Sequence, residues 1–203
     1  MAPTTGNPAP LRERKQQRAR EAIVKAAYEL FAERGFDDVT VSEIAERAEV
    51  GRTTFFRYFS DKQEVPFADD ADVLAKLIEQ IRQQAELVRP IGDSLPIALQ
   101  VLRGALATPI ADWSAHPERL ATQAQLLARH PDLHARHLLK QQRQARELAG
   151  VLVDYAATPV TAHLATQLAL ACLHAAAQLA DVDTGDEPDT IDALFSRLQA
   201  AAP

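Results

Sequence analysis

The sequence predicts an all-α protein of about nine helices, with a three-helix helix-turn-helix domain at the N-terminus and a larger helical domain after it. Three observations predict this. Apolar residues recur at i, i+3 and i+4 along most of the chain, no stretch alternates as a strand would, and capping signals, prolines and a few of the seven glycines punctuate the helical runs. The expected division is a disordered segment over 1–10, the helix-turn-helix domain over 11–64 and the larger domain over 65–203.

The first helix opens in "LRERKQQRAR", continues through Ile23, Ala27, Leu30 and Phe31 at helical spacing, and stops at Gly35. "TVSE" forms a capping box, with Thr40 at the N-cap and Glu43 three residues on, and starts a second helix with Val41, Ile44, Ala45 and Ala48 inward. A short turn leads to a third helix over about Gly51–Phe59, with Phe55, Tyr58 and Phe59 as its inner stripe. A further start is expected at Ser60. Long helices follow over Asp70–Val88, from Ser94 to near Trp113 with a kink or break at Pro109, from Pro117 to near His130, from Pro131 to about Ala156, and from Thr158 to about Ala180. The last spans about Glu187–Ala202.

Charge is unevenly distributed. Residues 1–64 carry 11 basic and 11 acidic side chains, so the whole formal charge of −6 lies in residues 65–203. Such a contrast suits one end that meets phosphate and a body that phosphate repels. The single cysteine, Cys172, lies in an apolar run and excludes a disulfide frame or a thiolate cluster. The run Leu164–Ala180 is broken by Gln167, His174 and Gln178, so it reads as a helix buried on two sides rather than a membrane span. With "MAPTTGNPAP" unlike a signal peptide, a cytoplasmic location is expected.

The third helix carries the most chemistry. With Phe55, Tyr58 and Phe59 turned inward, Arg52, Thr53, Phe56 and Arg57 occupy the other faces. Arg pairs with guanine O6 and N7, and Thr touches a phosphate or a thymine methyl, so this face suits a major groove. Thr40, Ser42 and Lys62 flank it and are expected to grip phosphate. The basic arm Arg12–Arg20 either adds phosphate contacts or is only a soluble helix start; cations at a helix N-terminus are unfavourable, which leans toward contact. "HPDLHARH" spaces His130, His134 and His137 about a turn apart, but Pro131 leaves His130 outside the helix and no carboxylate stands at ligand spacing, so no metal is expected. No nucleophile elbow, phosphate loop or CxxC is present, and neither an enzyme nor a cofactor is expected.

The stretch "AIVKAAYELFAERGFDDVTVSEIAERAEVGRTTFFRYFSDKQEV" resembles the DNA-binding domain of the TetR family of repressors. Leu30, Phe31, Gly35, Phe36, Thr40, Ile44, Ala45, Val50, Thr54, Phe59 and Lys62 match the family pattern without a gap over about 45 residues. The resemblance implies DNA contacts at Arg52, Thr53, Thr54, Phe56, Tyr58 and Lys62, with Thr40 and Ser42 as second-helix contacts. There are three departures: Glu49 replaces the turn glycine while Gly51 takes the place of the capping serine, Phe56 replaces an exposed tyrosine, and Tyr58 replaces a histidine.

The resemblance further implies a homodimer whose last two long helices form a four-helix bundle, with Leu168, Cys172, Ala175, Leu179, Ile191, Leu194, Phe195 and Leu198 at the interface. It implies a repressor of a palindromic double-stranded operator, released by an unknown small-molecule effector. Trp113, Gln125, Tyr155 and His174, polar or aromatic within apolar helices, are the candidate effector contacts. The alternative is a helical dimer acting as an activator or a ligand carrier without operator binding.

Overall fold

The computed structural model describes residues 11–113, 117–179 and 191–201, and every described element but one is an α-helix. They are α1 (Leu11–Arg34), α2 (Val41–Arg47), α3 (Arg52–Tyr58), a 3-10 helix (Lys62–Phe67), α4 (Asp70–Val88), α5 (Leu95–Trp113), α6 (Pro117–Arg129), α7 (Pro131–Asp154), α8 (Pro159–Leu179) and α9 (Ile191–Ala201). The helix start expected at Ser60 is the 3-10 helix, capped by Asp61, whose carboxylate accepts from the Glu64 N–H. The α5 assignment runs through Pro109 to Trp113, so the proline does not end the helix early. The expected disordered segment 1–10, and the start of the last helix at Glu187, lie outside the described residues.

The chain divides into two compact units. The first holds the residues up to Ala68 together with Glu118–Leu133, and the second holds Asp69–Pro117 and the residues from His134 on. This differs from the boundary expected at 64/65 and moves one segment across it. Glu118–Leu133 belongs with the first unit because Leu126 and Leu133 are buried in the same core as Ile23, Phe31, Ile44 and Phe55. In sequence, α6 shows an amphipathic face but not which core that face joins.

The second unit is built on α4, α5, α8, α9 and the part of α7 from His134 on, with Ile81, Leu99, Leu102, Leu152 and Phe195 in its core. At one end, the α4–α5 and α7–α8 loops are bonded together. Gly92 N–H donates to Ala156 O at 3.0 Å, and Thr158 N–H donates to Gly92 O at 3.0 Å. The Asp93 carboxylate accepts from the Thr158 and Thr161 hydroxyls at 2.9 and 2.6 Å, which holds it below the usual carboxylate range. No described helix is long and apolar enough to cross a membrane.

Candidate nucleic-acid interface

Helices as short as α2 and α3, 7 residues each, cannot hold their geometry without specific ties. The joint between α2 and α3 is tied through the backbone. The Val50 N–H donates to Ala45 O at 2.9 Å and the Glu49 N–H to Glu46 O at 3.0 Å, a Schellman ending that satisfies the last carbonyls of α2. It needs a left-handed residue, and Glu49 supplies it at φ 53. The turn therefore keeps its geometry without the expected glycine, at the strain of a side chain in that region. Gly51 then starts α3 in extended conformation without a side-chain cap, its carbonyl accepting from Thr54 and Phe55 N–H.

Packing orients α3. Phe55 is completely buried and Phe59 nearly so, both within the core that α1 and α2 share, while Tyr58 is half-buried against it. This leaves Arg52, Thr53, Phe56 and Arg57 exposed, one stripe at i, i+1, i+4 and i+5. Arg52 and Thr53 make no described side-chain hydrogen bond. Arg57 is steadied by Tyr58, its guanidinium 5.0 Å from the ring centroid and 3.2 Å from the hydroxyl. Thr54 is half-buried and Ser42 exposed.

Two of the expected phosphate contacts have other duties. The Thr40 hydroxyl donates to Glu43 Oε2 at 2.7 Å and accepts from the Glu43 N–H, closing the capping box. With the Thr40 hydroxyl and N–H donating to it, and Arg34 alongside, the Glu43 carboxyl is held down to about 2. Lys62 is used more completely. Its Nζ donates to Phe36 O at 2.8 Å, Asp37 O at 3.0 Å and Val39 O at 2.8 Å, and stands 4.7 Å from the Phe36 ring centroid. An ammonium has three protons, so Lys62 acts as a clamp on the α1–α2 loop and has none left for a phosphate.

Further ties secure the unit. Arg47 forks onto Glu33 with both bonds at 3.0 Å, and Arg34 meets Glu43 at 2.9 Å, linking α1 to α2. The Pro66 carbonyl accepts from Tyr28 on α1 and from Gln123 on α6, at 3.4 and 2.7 Å, and Arg20 donates to Ala68 O. Of the basic arm, Arg14, Lys15 and Arg18 are exposed, whereas Arg20 is half-buried at this tie. The roles of Gln123 and Lys62 escape sequence reasoning because their acceptors are backbone carbonyls, which no residue pattern marks.

Other candidates separate. His130 tilts against Phe36 at 5.0 Å and faces Asp37 at 3.7 Å in the first unit, while His134 and His137 belong to the second. There, burial and then the neighbouring His174 and His134 push His137 below the usual imidazole range. Among the described residues no three His, Cys, Asp or Glu stand together as a metal site.

The four candidate effector contacts are divided between the two units, Gln125 in the first and Trp113, Tyr155 and His174 in the second. Gln125 lines a groove of about 590 Å³ in the first unit, with Phe31, Asp37, Asp38 and Arg129. His174 lies beside Gln141 of α7 at 2.7 Å, whereas Tyr155 follows the end of α7, about 20 Å from Gln141 along the helix. The Trp113 side chain lies outside the described residues. Of the expected interface residues, Phe195 is fully buried within its own chain and so cannot be a contact surface. Leu168, Cys172, Ala175, Leu194 and Leu198 are half-buried, and the side chains of Leu179 and Ile191 lie outside the described residues.

Residues 23–68, which hold this whole joint, match the family model of bacterial regulatory proteins of the tetR family. The helix-turn-helix of this chain is that of the TetR family. The chain is similar to the HTH-type transcriptional regulator TcmR of Streptomyces glaucescens, 30% identical over 159 residues, 73% of this chain and 65% of that protein. The chain thus spans just under two thirds of that relative's length. The HTH-type regulator YdeS of Bacillus subtilis is 51% identical over 45 residues, 22% of this chain and 23% of its own. In fold the chain is similar to Thermus thermophilus FadR, a TetR-family repressor solved with lauroyl-CoA. The TM-score is 0.52 at 23% identity, over 91% of this chain and 98% of that one. TetR-family regulators are DNA-binding transcriptional regulators, and the helix-turn-helix of this chain is the part that carries the relationship most closely.

Proposed function

We propose that this protein is a transcriptional repressor that binds a palindromic operator as a homodimer and is released by a small-molecule effector. The observation that carries the reading is the α3 stripe. Arg52 and Thr53 project from a helix held rigid by buried Phe55, and no acidic residue lies on that helix to oppose a phosphate backbone. A preorganised cationic stripe of this kind suits base edges in a major groove.

Two-fold symmetry supports the operator's form, since a single small reading head gains useful affinity from a second half-site. The outward side of α8 supports the dimer. Val160 is 76% and Leu164 45% exposed, continuing along the helix into half-buried Leu168 and Cys172. Apolar exposure of that length on one helix invites a partner. Effector release follows from linkage. A ligand of the second unit that favours the form not bound to DNA weakens operator binding, typically by about 1–3 kcal/mol. The chain passes between the units at three places, and the α4 helix, which follows the helix-turn-helix in sequence, is the proposed route of coupling.

Fluorescence anisotropy on the DNA upstream of the protein's own gene tests the reading. Sequence-specific binding that weakens steeply with salt is expected. Arg52→Ala should weaken it by about 1–3 kcal/mol and relax the preference at one base pair, and Arg57→Ala should weaken it with less change in preference. Absence of any salt-dependent specific binding would leave a helical dimer that carries ligand without reading DNA.

A further inference from the structure

Phe56 is the only aromatic among the large hydrophobic residues that stand exposed in the described chain, at 48%. Its ring stands edge-on to Phe55 with centroids 5.6 Å apart and planes at 84°. Phe55 has no exposed surface, so the support under Phe56 is the core itself. The neighbours on the outward stripe are Arg52 and Thr53, one turn back, and Arg57 beside it.

A rigid apolar ring between cations has no use for a phosphate oxygen, because it has no proton to donate. The apolar feature that a major groove offers is the C5-methyl of thymine. Deoxyribose is the other apolar surface, but contact there carries no sequence information. The stripe's direction favours the base: Phe56 shares its face with Arg52 and Thr53, whose side chains suit base edges. One helical turn separates Arg52 from Phe56, about 6 Å, which corresponds to about two base-pair steps.

We propose that Phe56 is a specificity-determining residue that reads a thymine methyl in each half-site, about two base pairs from the base pair read by Arg52. This rests on the operator reading above. Because Phe55 supports one edge of the ring, contact orders less than it would for an unsupported side chain.

The test replaces thymine by uracil, which deletes only the methyl. Operators are first selected from a randomised duplex pool with the wild-type protein. Each thymine is then exchanged in turn, and affinity is measured for wild type, Phe56→Ala and Phe56→Gln. One symmetry-related pair of positions should weaken wild-type binding by about fourfold per half-site and about fifteenfold when both are exchanged, the worth of one buried methyl each. Both variants should bind the thymine and uracil forms alike at those positions. Phe56→Gln keeps helix propensity should the alanine variant lose structure. Operator binding with no uracil-sensitive position, or a penalty that survives both substitutions, overturns the role of Phe56 and leaves the operator reading intact. Selection that enriches no sequence removes both.

Discussion

Lys62 distinguishes a clamp from a phosphate contact, and Lys62→Met separates the two. Methionine keeps an unbranched stem against the Phe36 ring and removes only the ammonium. Three charge-assisted bonds disappear, at 2.8, 3.0 and 2.8 Å. The Asp37 carbonyl is exposed and water replaces its partner, so that bond counts for little. The Phe36 and Val39 bonds are part-buried, and hydrogen bonds to charged groups contribute about 1.5–3 kcal/mol each. Taking the lower end for both, because the ammonium is half-buried, gives a loss of about 3 kcal/mol. For a chain of this size that is a fall of about 6–12 °C in melting temperature. Calorimetry and urea titration of wild type and variant measure it. If Lys62 served a phosphate instead, stability would change by less than about 1 kcal/mol. Operator affinity would drop on every sequence alike, and the salt slope would shrink by about 0.9 for each half-site. That pattern would refute the clamp.

Other outcomes follow from the same geometry. Glu49→Gly should stabilise the protein by about 0.5–1 kcal/mol in urea titration, since glycine relieves the left-handed strain at φ 53 but adds unfolded-state freedom; a loss of stability would show that the Glu49 side chain matters more than its backbone. Ala156, at φ 65 in a second Schellman ending of α7, should respond to glycine in the same direction. The Glu43 carboxyl is held down to about 2 from an ordinary 4.5, so its stabilisation is complete above 4.5 and lost as pH falls toward 2. The urea midpoint should decline over that window, and Glu43→Gln should flatten the decline; an unchanged profile would exclude the capping box as its source. Phe195→Ala should cost about 3–5 kcal/mol of stability, independently of protein concentration, whereas a shift confined to the dimer–monomer equilibrium would return Phe195 to the interface.

Periodicity and caps made the helices legible. Asp70–Val88 reads directly from its amphipathic pattern, and Thr40 with Glu43 marks the start of α2, because both signals are local. The outward stripe of α3 was equally legible once Phe55 and Phe59 were assigned inward. Phe195 misled the reading for a physical reason: an apolar residue on a helix stripe looks the same whether its own chain or a second copy covers it.

The amino-acid sequence by itself determined the helical class, the helix-turn-helix joint and the outward stripe of α3, since each depends on contacts within a few residues along the chain. Only the tertiary structure decided that Glu118–Leu133 completes the first unit, that Lys62 and Gln123 secure its loops through backbone carbonyls, and that Gln125 and His174 belong to different units. Those facts depend on groups distant in sequence meeting in space. A lysine beside a carbonyl leaves the same letter in the sequence as a lysine in solvent.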